Sequence, residues 1–509
     1  MDQDGAVGHW CKTNFSLTNR TNLLKYNLLK HILVKNDLVK GDEAMFVGRK
    51  NELSVLEDTY KKPGFQMTVI YGRRRIGKSR LITEFIKDKK ASYYVASKTS
   101  IEDNVQKWSS QVVADLAPDM EGLSVENLEA FFRFVGNIAD KEKIIIALDE
   151  IPYIAEADES FLSRFQVAVD TIFSSKNIYL IICGSAISFM EKEILSEKSP
   201  LFGRRTNQIC LRPFNYIESA EFVPKYNAEE KAIVYGVTGG VAKYLTLFDD
   251  KLSLDANLIN NFFTTSGYLY EEPMNLLTQE FRTVNTYNTV IEVCAGGANK
   301  VTEIADKAHI TTATLSYVLK SLDTVGIISK ITPMTEKENN RRSVYEVTDS
   351  MYRFWYSFIP GAKAAIEMNR GEVFYKNYVK GRIHSFMGKV FEDMCRYYTL
   401  SQGLDGRLNC LVANVGSWWG PGHDHIPTDI DVVGIDEAGK KAVLGECKFK
   451  NEVIDKEVYE ALLNRRGLID KRYEEVEFLL FSLSGFSKWV KENAEPGRIR
   501  LVTLEEIYD

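Results

Sequence analysis

An α/β fold built on a parallel sheet is predicted by three features of the sequence. Residues 144 to 150 read Ile-Ile-Ile-Ala-Leu-Asp149-Glu150, an apolar run ending in two carboxylates, as in a strand buried on both faces. Runs of similar character at 66–71, Tyr93–Ala96 and Ile178–Cys183 alternate with amphipathic helical stretches up to about residue 205. Between the first strand and its helix stand Gly72, Arg73, Arg74, Arg75, Ile76, Gly77, Lys78 and Ser79, the G-x-x-x-x-G-K-[ST] pattern of a phosphate-binding loop.

The loop carries its own chemistry. Glycine lets a backbone wrap closely around phosphate, the loop amides point inward, and the following helix presents its positive end to the anion. Lys78 would neutralise the β- and γ-phosphates of a nucleoside triphosphate, and Ser79 would ligate Mg²⁺. Asp149, delivered to the carboxyl end of a neighbouring strand, would hold the same ion through water, and Glu150 would orient the attacking water. A core strand followed by a solvated Asp-Glu turn is the plain alternative; the loop upstream, at a normal interval, favours catalysis. Beside a triphosphate, Arg73, Arg74 and Arg75 read as a source of field or as structure rather than as a nucleic-acid patch.

A chain of 509 residues is too long for one core and predicts about three to four domains. Residues 1–44 carry no readable chemistry, although the spacing of Leu23, Leu24, Leu28, Leu29, Ile32 and Leu33 predicts a helix over 21–35. The nucleotide-binding core is expected over 45–205, and a small helical lid over 206–280, where the strand signal fades around Gly239-Gly240-Val241. Over 281–350 the sequence predicts a winged helix-turn-helix. Val301 to Ala305 and Thr311 to Leu322 form the helices; Gly326-Ile327-Ile328 and Ser343 to Val347 form the wing, with a polar tip from Lys337 to Arg342. Thr312, Thr314, Ser316, Tyr317 and Lys320 would offer contacts to phosphate or base; the alternative is a module used only for packing. Residues 351–380, rich in Tyr352, Phe354, Trp355, Tyr356 and Phe358, read as a packed connector, and 381–509 as a further domain with its own strands.

Composition narrows the setting. Hydrophobic content of 45% and charge of 26% describe an ordinary globular protein, and a net charge of −6 confines any nucleic-acid contact to local patches. Seven scattered cysteines without a C-x-x-C pair point to a reducing cytoplasm and away from a disulfide framework or zinc site. No apolar run approaches the roughly 20 residues of a membrane span. Met1-Asp2-Gln3-Asp4 lacks the layout of a signal peptide.

Phe46-Val47-Gly48-Arg49, the loop at 72–79, Leu148-Asp149-Glu150, Cys183-Gly184-Ser185 and Gly203-Arg204-Arg205, read together, resemble the AAA+-like prokaryotic ATPases of the archaeal ATPase family. Tyr352 to Tyr356, Gly388 to Glu392, Gly416-Ser417-Trp418-Trp419 and Gly445-Glu446-Cys447-Lys448 resemble the nuclease-like domain that accompanies them. The resemblance covers 45–509 and implies ATP as the nucleotide, Gly48 and Arg49 near the adenine, and Ser185 as the γ-phosphate sensor. It also implies a homo-oligomer in which Arg204 or Arg205 reaches a neighbour's nucleotide; a salt bridge anchoring the lid is the alternative for these two. Ser185 stands where many AAA+ proteins carry Asn, and the lid shows no clear second sensor arginine.

A second centre is predicted near the carboxyl terminus. Glu-x-Lys alone says little, since about three copies are expected by chance and Glu229-Glu230-Lys231 also matches. Geometry singles out Glu446-Cys447-Lys448. The runs 429–435 and 442–448 alternate at period two around Glu437-Ala438-Gly439-Lys440, a hairpin turn. A turn centred between Ala438 and Gly439 sets Asp431 opposite Glu446, with Lys448 on the same face. Opposed carboxylates repel unless a cation lies between them, and carboxylate ligands favour Mg²⁺ or Mn²⁺ over zinc. Lys448 would orient or help deprotonate a water aimed at phosphorus, and Glu392 would complete the site. This is the layout of the PD-(D/E)XK fold, a restriction-endonuclease-like α/β domain, which the resemblance independently implies. A solvated hairpin face in which Asp429 pairs with Lys448 is the alternative, and Glu392 reads equally as the wet side of a helix. Trp418 and Trp419 read as core more than as a base-stacking platform, and His423 and His425 as surface. The whole predicts an ATPase coupled to a metal-dependent nuclease acting on DNA. Its rival is a nucleotide-controlled oligomeric switch or scaffold that binds a partner without cutting.

Overall fold

The run Ile144–Asp149 forms a strand buried at every position, and the amino-terminal half is assembled around it. The computed structural model describes residues 46–120, 122–123, 125, 127–140, 142–336 and 341–509. The helix expected over 21–35, the rest of the 1–44 extension and residues 337–340 of the expected wing tip lie outside the described residues. Five strands make the first sheet: β1 (Gln66–Tyr71), β2 (Ala91–Val95), β3 (Ile144–Asp149), β4 (Ile178–Gly184) and β5 (Asn207–Cys210). Their order is β2-β3-β4-β1-β5, and every neighbouring pair is parallel. Parallel strands send their carboxyl ends to one edge. That edge therefore collects the loop after β1, Asp149 and Glu150 from β3, and Ser185 after β4. The β5 strand lies beyond the boundary expected at 205. As an edge strand it buries only Ile209, so its Asn-Gln-Ile-Cys sequence carries no apolar run. One face of the sheet is sealed by Trp108, Phe131, Phe132 and Phe165, whose rings pack on one another.

After β5 the chain is helical. Helices Tyr216–Ala220 and Ala228–Thr238 each start in a capping box, built by Asn215 with Glu218 and by Asn227 with Glu230. Helix Glu272–Glu280 returns to the carboxyl edge of the sheet. Helices Val284–Ala295, Val301–Ala308 and Thr312–Thr324 follow, the last two separated by His309 in a left-handed conformation (φ 54). An antiparallel hairpin of β6 (Ile328–Ile331) and β7 (Val344–Val347) comes next. The aromatic segment is helix Ser350–Glu367, capped by Asp349 and burying Tyr352, Phe354 and Phe358. Among the described residues no helix is long and apolar enough to cross a membrane.

The carboxyl-terminal sheet is mixed: β8 (Asn414–Pro421), β9 (Pro427–Asp436), β10 (Lys441–Lys448), β11 (Glu474–Ser482) and β12 (Ile499–Thr503), in the order β12-β11-β10-β9-β8. The β8, β9 and β10 strands are antiparallel to one another, and β11 and β12 run parallel to β10. One face packs with Tyr459 and Leu462 of helix Lys456–Asn464. The other joins helix Ile383–Leu404 in a continuous apolar core that runs from Phe214 to Ile507. Tyr216 donates its hydroxyl to the carbonyl of Ile507 at 2.9 Å within it.

Candidate nucleotide site and acidic centre

The loop after β1 is shaped by its two glycines. Gly72 has φ 150, and a Cβ there would stand 2.4 Å from the carbonyl oxygen of Leu211. Gly77 (φ 97) opens helix Lys78–Ile86. Lys78 is 6% exposed, and its Nζ donates to the carbonyls of Gly72 and Arg73 at 2.9 and 3.0 Å, spanning the cradle that phosphates would fill. Ser79 Oγ donates to Asp149 Oδ2 at 2.7 Å, and the Tyr93 hydroxyl donates to the same oxygen at 2.6 Å. A hydroxyl against a carboxylate is a donor set that suits Mg²⁺, so these residues fit that ion. Glu150 takes a left-handed conformation (φ 55), and its Oε2 accepts from the Ser185 amide at 3.2 Å and the Ser185 hydroxyl at 2.9 Å.

Each loop arginine meets a carboxylate far along the chain. Arg73 pairs with Asp349 at 2.5 Å, Arg74 with Glu280 at 3.0 Å, and Arg75 with Glu272. The Asp349 and Glu272 side chains are only 1% exposed. Burial pushes the Glu272 carboxyl up, against Tyr244, which donates to it at 2.6 Å, and against Arg75. Arg49 donates to the carbonyls of Ile76 and Arg212 at 3.2 and 2.7 Å and lies 3.9 Å above the centre of the Phe214 ring, against which Gly48 also packs. Arg204 grips both oxygens of Asp170 at 2.7 Å and donates to the carbonyls of Pro200 and Phe202. Its salt bridge thus stays within the sheet domain, on helix Phe161–Thr171, rather than reaching the segment 206–280. Arg205 donates to the carbonyl of Leu195 at 2.9 Å.

In the second sheet Gly445 pairs with Val432, and the next step of this register sets Glu446 opposite Asp431. The two are 5% and 9% exposed. Asp431 Oδ2 accepts from the Cys447 amide at 2.9 Å. Lys448 Nζ donates to Glu446 Oε1 at 2.6 Å, and Arg465 donates to its other oxygen. Lys448 therefore pairs with Glu446 and not with Asp429. Burial, then Glu446, then Glu392 push the Asp431 carboxyl up to about 7. Burial acts to lower Lys448, but Glu446 overrides it and the amine is raised. Such an amine orients a water better than it deprotonates one. Glu392 joins through Arg396, whose Nη1 reaches Glu392 at 3.4 Å and the Asp431 carbonyl at 2.7 Å. Among the described residues no group of three or more Asp, Glu, His or Cys side chains gathers as a metal cage. Two carboxylates fit Mg²⁺ or Mn²⁺ when water and phosphate oxygens supply the other ligands.

Asp431 and Glu392 line a cleft of about 490 Å³ together with Lys300, Arg341, Glu346 and Asp429, beside the β6–β7 hairpin. The hairpin is tied to β8: Arg342 and Trp419 exchange side-chain to carbonyl hydrogen bonds at 3.1 Å, and the Met334 amide donates to Ser417 at 2.8 Å. Trp418 is buried in the core, and both it and Trp419 line the cleft. His423 lies in an exposed loop, bonded to the carbonyl of Arg466 at 2.8 Å, and His425 lies in the same loop. Thr312, Thr314, Ser316, Tyr317 and Lys320 are all exposed, Tyr317 by 68%. Tyr93, Glu280 and Arg465 escaped the sequence reading, because their partners stand 56, 206 and 19 residues away. Only Tyr93, at an alternate position of a strand beside β3, carried a signal that could have found it.

Residues 46–248 match the family described as "ATPase domain predominantly from Archaea", and 355–461 match "Archaea bacterial proteins of unknown function". An uncharacterised protein of Methanocaldococcus jannaschii is 30% identical over 460 residues, 87% of this chain and 100% of that protein. The chain belongs to the archaeal ATPase family. Among solved structures, a Walker-type ATPase of Pyrococcus abyssi aligns at 19% identity and a TM-score of 0.48, over 61% of this chain and 96% of that one. The ORC2 protein of Aeropyrum pernix, solved with ADPNP and ADP, aligns at 15% and 0.45, over 64% and 97%. For this member of the archaeal ATPase family, ATP is the nucleotide, and the family match over 46–248 includes the loop at 72–79.

Proposed function

We propose that ATP hydrolysis at residues 72–79 is coupled to a divalent-metal-dependent nuclease centre on the carboxyl-terminal sheet that acts on DNA. The observation that carries the reading is the opposition of Asp431 and Glu446, with Lys448 at 2.6 Å from Glu446, beside a cleft that Asp431 lines together with Lys300 and Arg341. A nuclease groove has to admit a polyanion; Lys300, Arg341, Arg342 and Lys389 line this one together with Glu346, Glu392, Asp429 and Asp431, so a cation held by the acids is what would tip its field towards phosphate.

At the nucleotide, Lys78 leaves the carbonyls of Gly72 and Arg73 for the β- and γ-phosphates, and the loop amides hold the same oxygens. Mg²⁺ held by Ser79 and Asp149 supplies charge neutralisation there. Glu150, exchanging Ser185 for water, orients the nucleophile, and Ser185 turns to the γ-phosphate. Gly48 and Arg49 brace the loop near the adenine. At the second centre Asp431 and Glu446 would hold Mg²⁺ or Mn²⁺, which polarises the scissile phosphate. Lys448 orients the attacking water, and Glu392 adjusts Asp431 across Arg396. Helices Val301–Ala308 and Thr312–Thr324 with the β6–β7 hairpin act as a winged helix-turn-helix whose exposed third helix meets the duplex.

The test is incubation of the purified protein with labelled single- and double-stranded DNA, with Mg²⁺ or Mn²⁺ and with or without ATP. Cleavage lost in Asp431→Ala and Glu446→Ala, with ATP turnover kept, supports the reading; no cleavage under any condition overturns it. A second reading, a nucleotide-controlled switch that binds without cutting, is favoured by one observation. Glu446 is already compensated by both Lys448 and Arg465, and the hairpin is fastened to β8 across the cleft. Its signature is ATP-dependent DNA binding or subunit association, the latter followed by sedimentation, in a chain that cuts nothing.

A further inference from the structure

The three loop arginines differ in what they hold. Arg73 and Arg75 meet Asp349 and Glu272, acids that are almost wholly enclosed. Arg74 meets Glu280 at 3.0 Å with both side chains 19% exposed, and its Nη2 donates to the Tyr153 hydroxyl at 3.3 Å. Burial pushes the Glu280 carboxyl up, so an incoming phosphate competes on good terms for the guanidinium.

Position matters as much as pairing. Arg74 is the third residue of a loop whose amides face the β- and γ-phosphates, so its side chain leaves the backbone beside the terminal phosphate. Arg74, Glu280 and Ser185 line one small, partly open cleft of about 20 Å³, room for a single water. Glu150, bonded to Ser185, contributes to the field at Arg74. Arg74 and the serine after β4 thus share one cleft, and the glutamate after β3 is bonded to that serine. Arg204, by contrast, spends its donors on Asp170 and two carbonyls of its own chain.

We propose that Arg74 stabilises the transferring γ-phosphoryl group from within its own chain, and that Glu280 holds it until ATP arrives. The inference rests on the reading of 72–79 as an ATP-hydrolysing loop. As the water oxygen bonds to the γ-phosphorus, the bond to the bridging oxygen breaks and its electron pair stays on the β-phosphate of ADP. The water's proton passes by way of Glu150 to inorganic phosphate. Arg74 transfers no proton; its fixed, forked charge meets the equatorial oxygens as negative charge builds on them.

The experiment compares Arg74→Ala and Arg74→Lys with the full-length wild-type chain in three measurements: binding of a fluorescent ATP analogue, ATP turnover over a dilution series, and trapping of ADP with aluminium fluoride. Lysine keeps the charge and the pairing with Glu280 but lacks the fork, which guards against a mere folding defect. Both variants should bind nucleotide within a few-fold of wild type, turn over about 10³-fold more slowly, and fail to trap the fluoride complex. Turnover per wild-type chain should not change with dilution, and mixing Arg74→Ala with Lys78→Ala chains should restore nothing. Wild-type turnover by Arg74→Lys, or recovery in the mixture, overturns the assignment of Arg74 alone. A wild-type chain that binds ATP without hydrolysing it overturns the reading of the loop, and this proposal with it.

Discussion

Glu150 combines a left-handed backbone conformation with a carboxylate fastened to Ser185, a strain that persists only where surrounding contacts fix it. Glu150→Gln keeps the shape and the hydrogen bond but removes the charge that polarises water. It should therefore bind ATP as wild type and lose turnover, measured by nucleotide binding beside phosphate release. Lys78→Ala should lose tight binding itself, because no other group carries its charge to the cradle. Asp431 gives a test in pH. Its carboxyl is pushed up to about 7 in the folded chain, and it would titrate near 3.9 when unfolded. Between those values the folded state binds the extra proton, so metal-free stability should fall as pH rises from roughly 4 to 7 and then level off. Thermal unfolding should show a shallower fall in Asp431→Asn, and Mn²⁺ should restore stability above neutrality in the wild type only. Equal slopes in the two chains would remove Asp431 from the account. At this scale much was legible: the turn between Ala438 and Gly439 sufficed to pair Asp431 with Glu446, because side chains in a hairpin repeat every two residues. Arg465 was not legible, since a basic residue at the end of a helix looks like surface until the fold turns it onto Glu446.

Helix Glu272–Glu280 grips the phosphate-binding loop at both of its ends, Glu272 through Arg75 and Glu280 through Arg74, while Asp349 at the start of helix Ser350–Glu367 takes Arg73. Two separate helices are thereby fastened through three acids to eight residues. Asp349 does double service, accepting from the Tyr352 amide at 3.1 Å as the helix cap and from Arg73 as a buried ion pair. Losing a cap costs about 1 kcal/mol, and stranding a buried charge costs about 3 kcal/mol or more. Asp349→Ala should therefore destabilise the chain by roughly 4 kcal/mol and weaken ATP binding from outside the nucleotide site. Denaturant unfolding with and without ATP would show both effects; a change under 1 kcal/mol would mean that the pair is incidental. Gly72→Ala should be harsher on the loop, since its Cβ meets a backbone carbonyl of Leu211 that cannot step aside. The long strands and amphipathic helices were readable from periodicity, because burial imposes it. The β5 strand was not, because one inward residue makes no pattern, and the ties from the loop to residues 272–349 leave no local trace in sequence.

On the scale of the molecule, three cores divide the work. One closes the parallel sheet within residues 67–201, a second runs from Phe214 to Ile507 through the helices after β5, the three helices before the hairpin, the connector helix and one face of the second sheet, and a third fills the other face of that sheet from Trp418 to Ile499. Length suggested that 381–509 could close a core of its own, and one face of its sheet does so around Ile430, Leu444, Phe478 and Leu480; length says nothing about the other face, which is shared. Gly236 lies so close to helix Ile383–Leu404 that a Cβ would meet Met387 Sδ at 2.6 Å, His384 pairs with Glu229 at 2.7 Å, and Tyr216 reaches Ile507. Cutting the chain at 381 would leave helix Ile383–Leu404 on the sheet but bare Phe386, Met387 and Val390 on its outer side, and Tyr508, which pack against Phe354, Gly236 and Tyr216. At about 25 cal/mol for each Å² of apolar surface, four such side chains forgo roughly 6 to 12 kcal/mol, comparable with the whole stability of a domain. A 381–509 fragment should therefore fail to unfold cooperatively and should bind a hydrophobic dye, whereas 206–509, which keeps the shared core, should give a single sharp transition. A cooperative, dye-silent 381–509 fragment would show that the acidic centre sits on a separable domain. Nucleotide effects at that centre would then have to travel through the tether and the hairpin alone, rather than through the packed helices that join it to the phosphate-binding loop.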